Sequence, residues 1–116
     1  MRIAIICPVR QLTQADKGII DLWVSKQEAK GHVVHLPYRD TDQSKGDIEK
    51  CNTNRSAVVL SDEVHVYYSE LSQGVHFDLG MAFAFGKRIK LIPLYKQETN
   101  PYTFHGMLKQ WEGNNE

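Results

Sequence analysis

Five consecutive apolar residues, Ile3 to Cys7, open the chain and are stopped by Pro8. A strand that is apolar on both faces has to be covered on both, the usual situation of a parallel strand inside an α/β sheet. The sequence then supplies covers in alternation with further strands. Thr13 can cap a helix from Gln14 to Ala29, in which Ile19, Leu22, Trp23 and the stem of Lys26 recur at helical spacing before Gly31. Val33 to Leu36 reads as a second strand, ended by Pro37. Pro37 to Gly46 is polar and turn-rich, a loop long enough to suggest a function. Asp47 to Leu60 reads as a second helix, Glu63 to Tyr68 as a third strand, and the stretch up to Phe85 as a third helix. Arg88 to Leu94 is a fourth strand, Lys96 to Asn100 a loop, and Pro101 to Trp111 a short last helix before a frayed tail, Glu112 to Glu116.

Alternating strands and helices predict a single-domain three-layer α/β sandwich over residues 1–116, Rossmann-like or flavodoxin-like, with a parallel sheet. The expected strand order is 2-1-3-4, with Cys7, Tyr68 and Gly74 near one edge. In such sheets ligands bind beyond the carboxyl ends of the strands. Here those ends open into Cys7–Arg10, Leu36–Gly46 and Tyr68–Gly74, which carry the most suggestive polar residues.

Charge narrows the function classes. Fourteen Lys and Arg balance fourteen Asp and Glu, so no general nucleic-acid surface or anionic-membrane surface is expected. No apolar run reaches membrane-spanning length. The chain opens directly into a strand, without a signal-peptide pattern, so a cytoplasmic location and reduced Cys7 and Cys51 are expected. The five histidines lack metal-ligand spacing; His32 and His35, three apart in an extended segment, point to opposite faces. No metal and no cofactor are expected.

Ser72 to Ala82, Ser-Gln-Gly-Val-His-Phe-Asp-Leu-Gly-Met-Ala, is the chemical centre. A strand-to-helix turn at Gly74 places unsatisfied N–H groups where an anion is stabilised. Asp78, expected in the first helical turn, is a nucleophile or general base on one reading and a carboxylate complementing the helix dipole on the other. Its neighbours Phe77, Leu79 and Met81 predict that it is partly buried. Ser72 and Gly74 either hold a phosphate or serve as a cap and a turn glycine. Arg10 either adds a fork of donors to that phosphate or is an ordinary surface arginine. Of Tyr67 and Tyr68, one is expected in the core while the other can stack on a base. Gly80, Ala82, Ala84 and Gly86 make the helix thin, for packing on the sheet or on a second subunit. Trp23, Phe83, Phe85 and Trp111 are read as core or interface.

Three segments together, Ser61–Val66, Ser72–Ala82 and Gly86–Lys87, resemble the nucleoside 2-deoxyribosyltransferase-like superfamily, near the deoxynucleoside 5′-monophosphate N-glycosidases. The resemblance implies a flavodoxin-like sheet and oligomers whose subunits complete one another's sites. It also implies that a carboxylate at the helix start, usually Glu, attacks the anomeric carbon and releases the base. Asp78 stands at that position, one methylene shorter. A family acid in the preceding helix corresponds to Asn54, and an amide can hydrogen-bond a base but cannot deliver a proton. Asp62 falls at the start of the strand and is not the catalytic acid. Ser72 and Gly74 match the phosphate-binding turn of the nucleotide-acting branch, and Arg10 the arginine after the first strand.

The resulting expectation is cleavage or transfer of the N-glycosidic bond of a nucleoside or nucleoside 5′-monophosphate. Asp78 would be the nucleophile and Asn54 would orient the base. Ser72, Gly74 and Arg10 would hold phosphate, and Tyr68 or Tyr38 would stack on the base. The alternative is a non-catalytic module that binds or senses a nucleotide. The expected partners are this small molecule and a second copy of the chain.

Overall fold

The computed structural model describes residues 1–94 and 100–114. Its order is β1 (Arg2–Ile6), α1 (Gln14–Ala29), β2 (Val33–His35), α2 (Pro37–Asp40), α3 (Asp47–Leu60), β3 (Glu63–Val66), α4 (Gln73–Ala84), β4 (Ile89–Leu91) and α5 (Phe104–Asn114). The sheet is β2-β1-β3-β4, parallel at every pairing, as the alternation requires. Its register sets Ile3 beside both Val34 and Glu63, and Val64 beside Ile89. Asp62 fastens the start of β3 to β1, its carboxylate accepting from the Arg2 N–H at 2.8 Å.

The two-residue repeat of β1 explains the layers. Ala4 and Ile6 join Val58, Val64, Val66, Tyr68, Val75, Leu79, Ala82 and Leu108 beneath α3, α4 and α5. Ile3, Ile5 and Cys7 join Ile20, Val24, Val34, Leu36 and Tyr67 beneath α1. Both faces of the strand are buried, and the sandwich has three layers.

The capped helices fall where local chemistry puts them. The Thr13 hydroxyl accepts from Asp16 N–H at 3.0 Å and starts α1, and Gly31, at φ 88°, ends it. Lys87 donates to the carbonyls of Val59 and Ser61, 2.9 Å each, closing α3.

Several expectations are corrected. Pro37 does not open a plain loop: it occupies the first turn of α2, where its missing N–H costs nothing. The strands are shorter than their apolar runs, because the ladder ends at Ile6, His35, Val66 and Leu91. The last helix starts at Phe104 and continues through Glu112 to Asn114, so that part of the tail is helical. Most of the loop expected over Lys96 to Asn100, and the last two residues of the tail, lie outside the described residues. The thin face of α4 does not pack on the sheet. Gly80 and Ala84 face outward and only Ala82 is buried, while a methyl at Gly80 would meet nothing within 4 Å.

Candidate active site

The chain passes from β1 outward to β2 and returns to β3 on the other side of β1. The loops leaving β1 and β3 therefore diverge, and a crevice is left between them. A cleft of about 980 Å³ occupies that place. The loop after β1 contributes Cys7 to Leu12 to its wall, α3 contributes Asp47, Lys50, Cys51 and Asn54, and Tyr67 to Asp78 contribute most of the rest. Gln11, a non-glycine residue at positive φ (61°), lies on this wall.

Asp78 is the singular group. Helix α4 starts at Gln73, so Asp78 stands in its second turn, not the first as expected. It is 8% exposed, and among the described residues no hydrogen bond or ion pair holds its carboxylate. Burial alone pushes its pKa up to about 6. Asp16, in the same cleft, is the opposite case. The Tyr67 hydroxyl donates to it at 2.6 Å, and this bond and Thr13 keep it below the usual carboxylate range. Cys7 is held as a thiol, because burial, then Asp78 and Asp21, push its pKa up to about 12.

The start of α4 is a capped helix N-terminus on the wall of the cleft. Ser72 is its N-cap, with Oγ accepting from Val75 N–H at 3.2 Å. The N–H groups of Gln73 and Gly74, in the first turn, have no acceptor within the helix. His76 pins this start to the end of β3. Its Nδ1–H donates to the Ser72 carbonyl at 2.7 Å, which leaves Nε2 to accept from the Tyr68 hydroxyl at 3.0 Å. A methyl at Gly74 would meet only Ser72 Oγ, at an ordinary 3.9 Å. The fold itself therefore does not call for glycine there.

Arg10, Asn54, Tyr68, Ser72, Gly74 and Asp78 all line the cleft. Arg10 is largely exposed and lies 3.6 Å from Asp47. The ring of Tyr68 is already stacked on Phe104 and His105, with centroids 5.7 and 5.2 Å away. Tyr38 does not join them. The turn of α2 directs it toward α1, where its hydroxyl donates to Asp21 and Lys17 lies over its ring. It lines a separate, smaller hollow.

Sequence reasoning missed Lys50, a half-enclosed cation of the cleft 3.3 Å from Asp47. The signal was present: positions 47, 50, 51 and 54 share one helical face, and Asn54 was already suspected. Among the described residues no three His, Cys, Asp or Glu side chains gather as a metal site. Among the described residues no helix is long and apolar enough to cross a membrane.

Against solved structures, the chain aligns over 97% of its length with a CMP N-glycosidase, BcmB, from Clostridium botulinum. That alignment has a TM-score of 0.65 and 20% identity and spans 81% of the other chain. A 2-deoxyribosyltransferase from Leishmania mexicana matches 77% of the chain at a TM-score of 0.59 and 22% identity. Both alignments show a shared α/β fold. The chain spans 61% of the length of the Leishmania protein. No family model and no curated protein matches the sequence.

Proposed function

We propose that the cleft binds a nucleoside 5′-monophosphate and that Asp78 cleaves its N-glycosidic bond. The observation that carries this reading is a buried carboxylate with no hydrogen-bond or ion-pair partner among the described residues, facing a cleft at the carboxyl ends of the strands. An unpaired carboxylate is costly to bury, and an active-site nucleophile is a reason to bear that cost. Gly74 and Asp78 are four residues apart on one helix face, a rise of about 6 Å. A phosphate on the first-turn N–H groups thus leaves the sugar beside Asp78. Arg10 and Lys50 add positive charge on the facing walls, and Asn54 meets the base.

In the proposed reaction an Asp78 carboxylate oxygen bonds to C1′ as the C1′–N bond breaks, and the base leaves with the electron pair and takes a proton from water. Water then cleaves the glycosyl ester and restores Asp78, or a second base attacks and transfer results. The two structural neighbours are described as acting on CMP and as a deoxyribosyltransferase, which supports this bond as the target. A second reading, a nucleotide-binding module without chemistry, is favoured by one observation: Asn54, an amide, stands where an acid would assist the departing base. Incubation with ribo- and deoxyribonucleoside 5′-monophosphates, followed by chromatography for free base, separates the two. Base release that disappears in Asp78→Ala supports the enzyme. Saturable binding with unchanged nucleotide supports the module.

We also propose that the working form is a homodimer formed through the outer face of α4. Phe77 and Phe83 on this helix are 58% and 67% exposed, and Gly80 between them, with open space where a methyl would stand, leaves room for a partner helix.

A further inference from the structure

Asn54 does not stand alone behind the cleft. The Thr41 hydroxyl, on a buried residue, donates to Asn54 Oδ1 at 2.9 Å. His35 Nε2 lies 3.1 Å from the same Thr41 oxygen. A threonine hydroxyl has one proton, and here it is given to Asn54, so Nε2 must carry a hydrogen and donate to Thr41. The chain runs His35 Nε2–H to Thr41 O–H to the Asn54 carbonyl. It occupies the acceptor end of the amide, and among the described residues no hydrogen bond runs from the Asn54 NH2 group to a protein acceptor. Asn54 lines the cleft.

We propose that His35 and Thr41 are positioning residues that hold Asn54 as a hydrogen-bond donor toward the cleft. The cleft then selects a ligand that presents an acceptor, a carbonyl oxygen or ring nitrogen, to α3. The proposal rests on the functional reading above. A base leaving with the bond's electron pair gains negative charge on its ring nitrogens and carbonyl oxygens, and a fixed N–H donor stabilises that charge. A carbonyl oxygen in the same place would oppose it. The role also suits an amide in place of an acid: Asn54 supplies stabilisation in place of a proton. The polarity is robust to acid, because a protonated imidazole also carries hydrogen on Nε2 and donates in the same direction.

The test has two parts. Nitrogen-15 correlation spectra of the free protein report the His35 tautomer, with Nε2–H expected; a bare Nε2 beside an Nδ1–H reverses the relay and overturns the proposal. Base release from CMP, UMP, AMP and GMP is then compared for wild type, Thr41→Val and Thr41→Ser. Valine deletes the hydroxyl at nearly constant volume and is expected to lower kcat roughly tenfold, the cost of about one hydrogen bond, with little change in KM. Serine restores the hydroxyl and should recover most of the rate, which a purely structural role for threonine would not require. Wild-type kcat in Thr41→Val overturns the relay while leaving Asp78 chemistry intact. Failure of the wild type to release any base overturns the functional reading instead, and the tautomer still decides the polarity.

Discussion

Replacing Asp78 by Asn should make the protein more stable and less active at once. Burial raises the folded-state pKa of Asp78 from 3.8 to about 6, roughly two units at 1.36 kcal/mol each, or about 3 kcal/mol. The folded chain holds this proton up to about pH 6, whereas the unfolded chain releases it near 3.8. Stability is therefore lost as pH rises through that window, and the full cost is present at pH 8. Asparagine has the same shape and no charge to desolvate, so the variant escapes the cost. Against a total stability of about 5–15 kcal/mol, 3 kcal/mol is large. It corresponds to a Tm increase on the order of 10 °C for a chain of this size. Thermal melts of both proteins at pH 8, 6 and 4 read the effect. The gap should be widest at pH 8 and close by pH 4. Base release by the variant should fall by orders of magnitude, because a neutral amide is a poor nucleophile. Equal Tm values at pH 8, or a gap that persists at pH 4, would refute the claim that an unpaired, desolvated carboxylate is held there.

The other expectations concern the walls of the cleft and the outer surface. Gly74→Ala should keep or slightly raise the Tm, since alanine is the better helix former by up to about 1 kcal/mol, while isothermal calorimetry shows weaker binding of nucleoside monophosphates as the methyl enters the anion's space. Gly106→Ala should be damaging whatever the ligand, because the new methyl would lie 2.0 Å from the Asn100 carbonyl oxygen; urea melts should show a loss of roughly 1–3 kcal/mol or more. Lys50→Met should raise KM for nucleoside monophosphates far more than for the matching nucleosides and move the acid limb of the kcat–pH profile upward. Light scattering at micromolar concentration should give about twice the 13.3 kDa protomer mass, and Phe83→Glu should return it to the monomer; a monomer in the wild type would end the dimer proposal.

The parts of the fold that local chemistry specifies were legible in the sequence. Helix α1 lies between Thr13 and Gly31, α3 begins at Asp47, and both match to the residue. The parity of β1 announced a strand covered on both faces. What was illegible depends on partners distant in sequence or on very short elements. Four residues of α2 carry no helical period, so nothing announced that Tyr38 would turn toward Asp21. The cap at Ser72 was legible from its residue type, and its hydroxyl accepts from Val75 N–H, but the helix begins at Gln73, before the Gly74 turn, and so moves Asp78 into the second turn. The link from Thr41 to Asn54 spans two elements and a loop and follows no periodicity. For the site, apolar neighbours foretold the burial of Asp78, and the strand ends foretold the cleft. The isolation of its carboxylate required the packed structure.

That isolation bears on why the cleft holds cations within a chain of zero net charge. With a pKa of about 6, Asp78 is mostly ionised at pH 7 in the empty cleft. On the proposed reading, a phosphate then arrives at the start of α4, about 6 Å along the helix. At an effective dielectric constant of about 20, one negative charge at that distance costs about 3 kcal/mol, or roughly two pKa units. Such a shift would leave the nucleophile largely protonated at neutral pH, and a bound substrate would disarm the residue meant to attack it. The cations remove this conflict if they hold the phosphate. Arg10 is too exposed to supply much of the offset, since solvent screens it. Lys50 is better placed, with its side chain only 17% exposed, although it shares Asp47 as a neighbour. The helix start contributes a further partial positive charge of about one half. A cleft that places a phosphate site one turn from an unpaired carboxylate thus requires a sheltered cation beside it. Lys50 meets that requirement from a helix that sequence reasoning had associated only with the base.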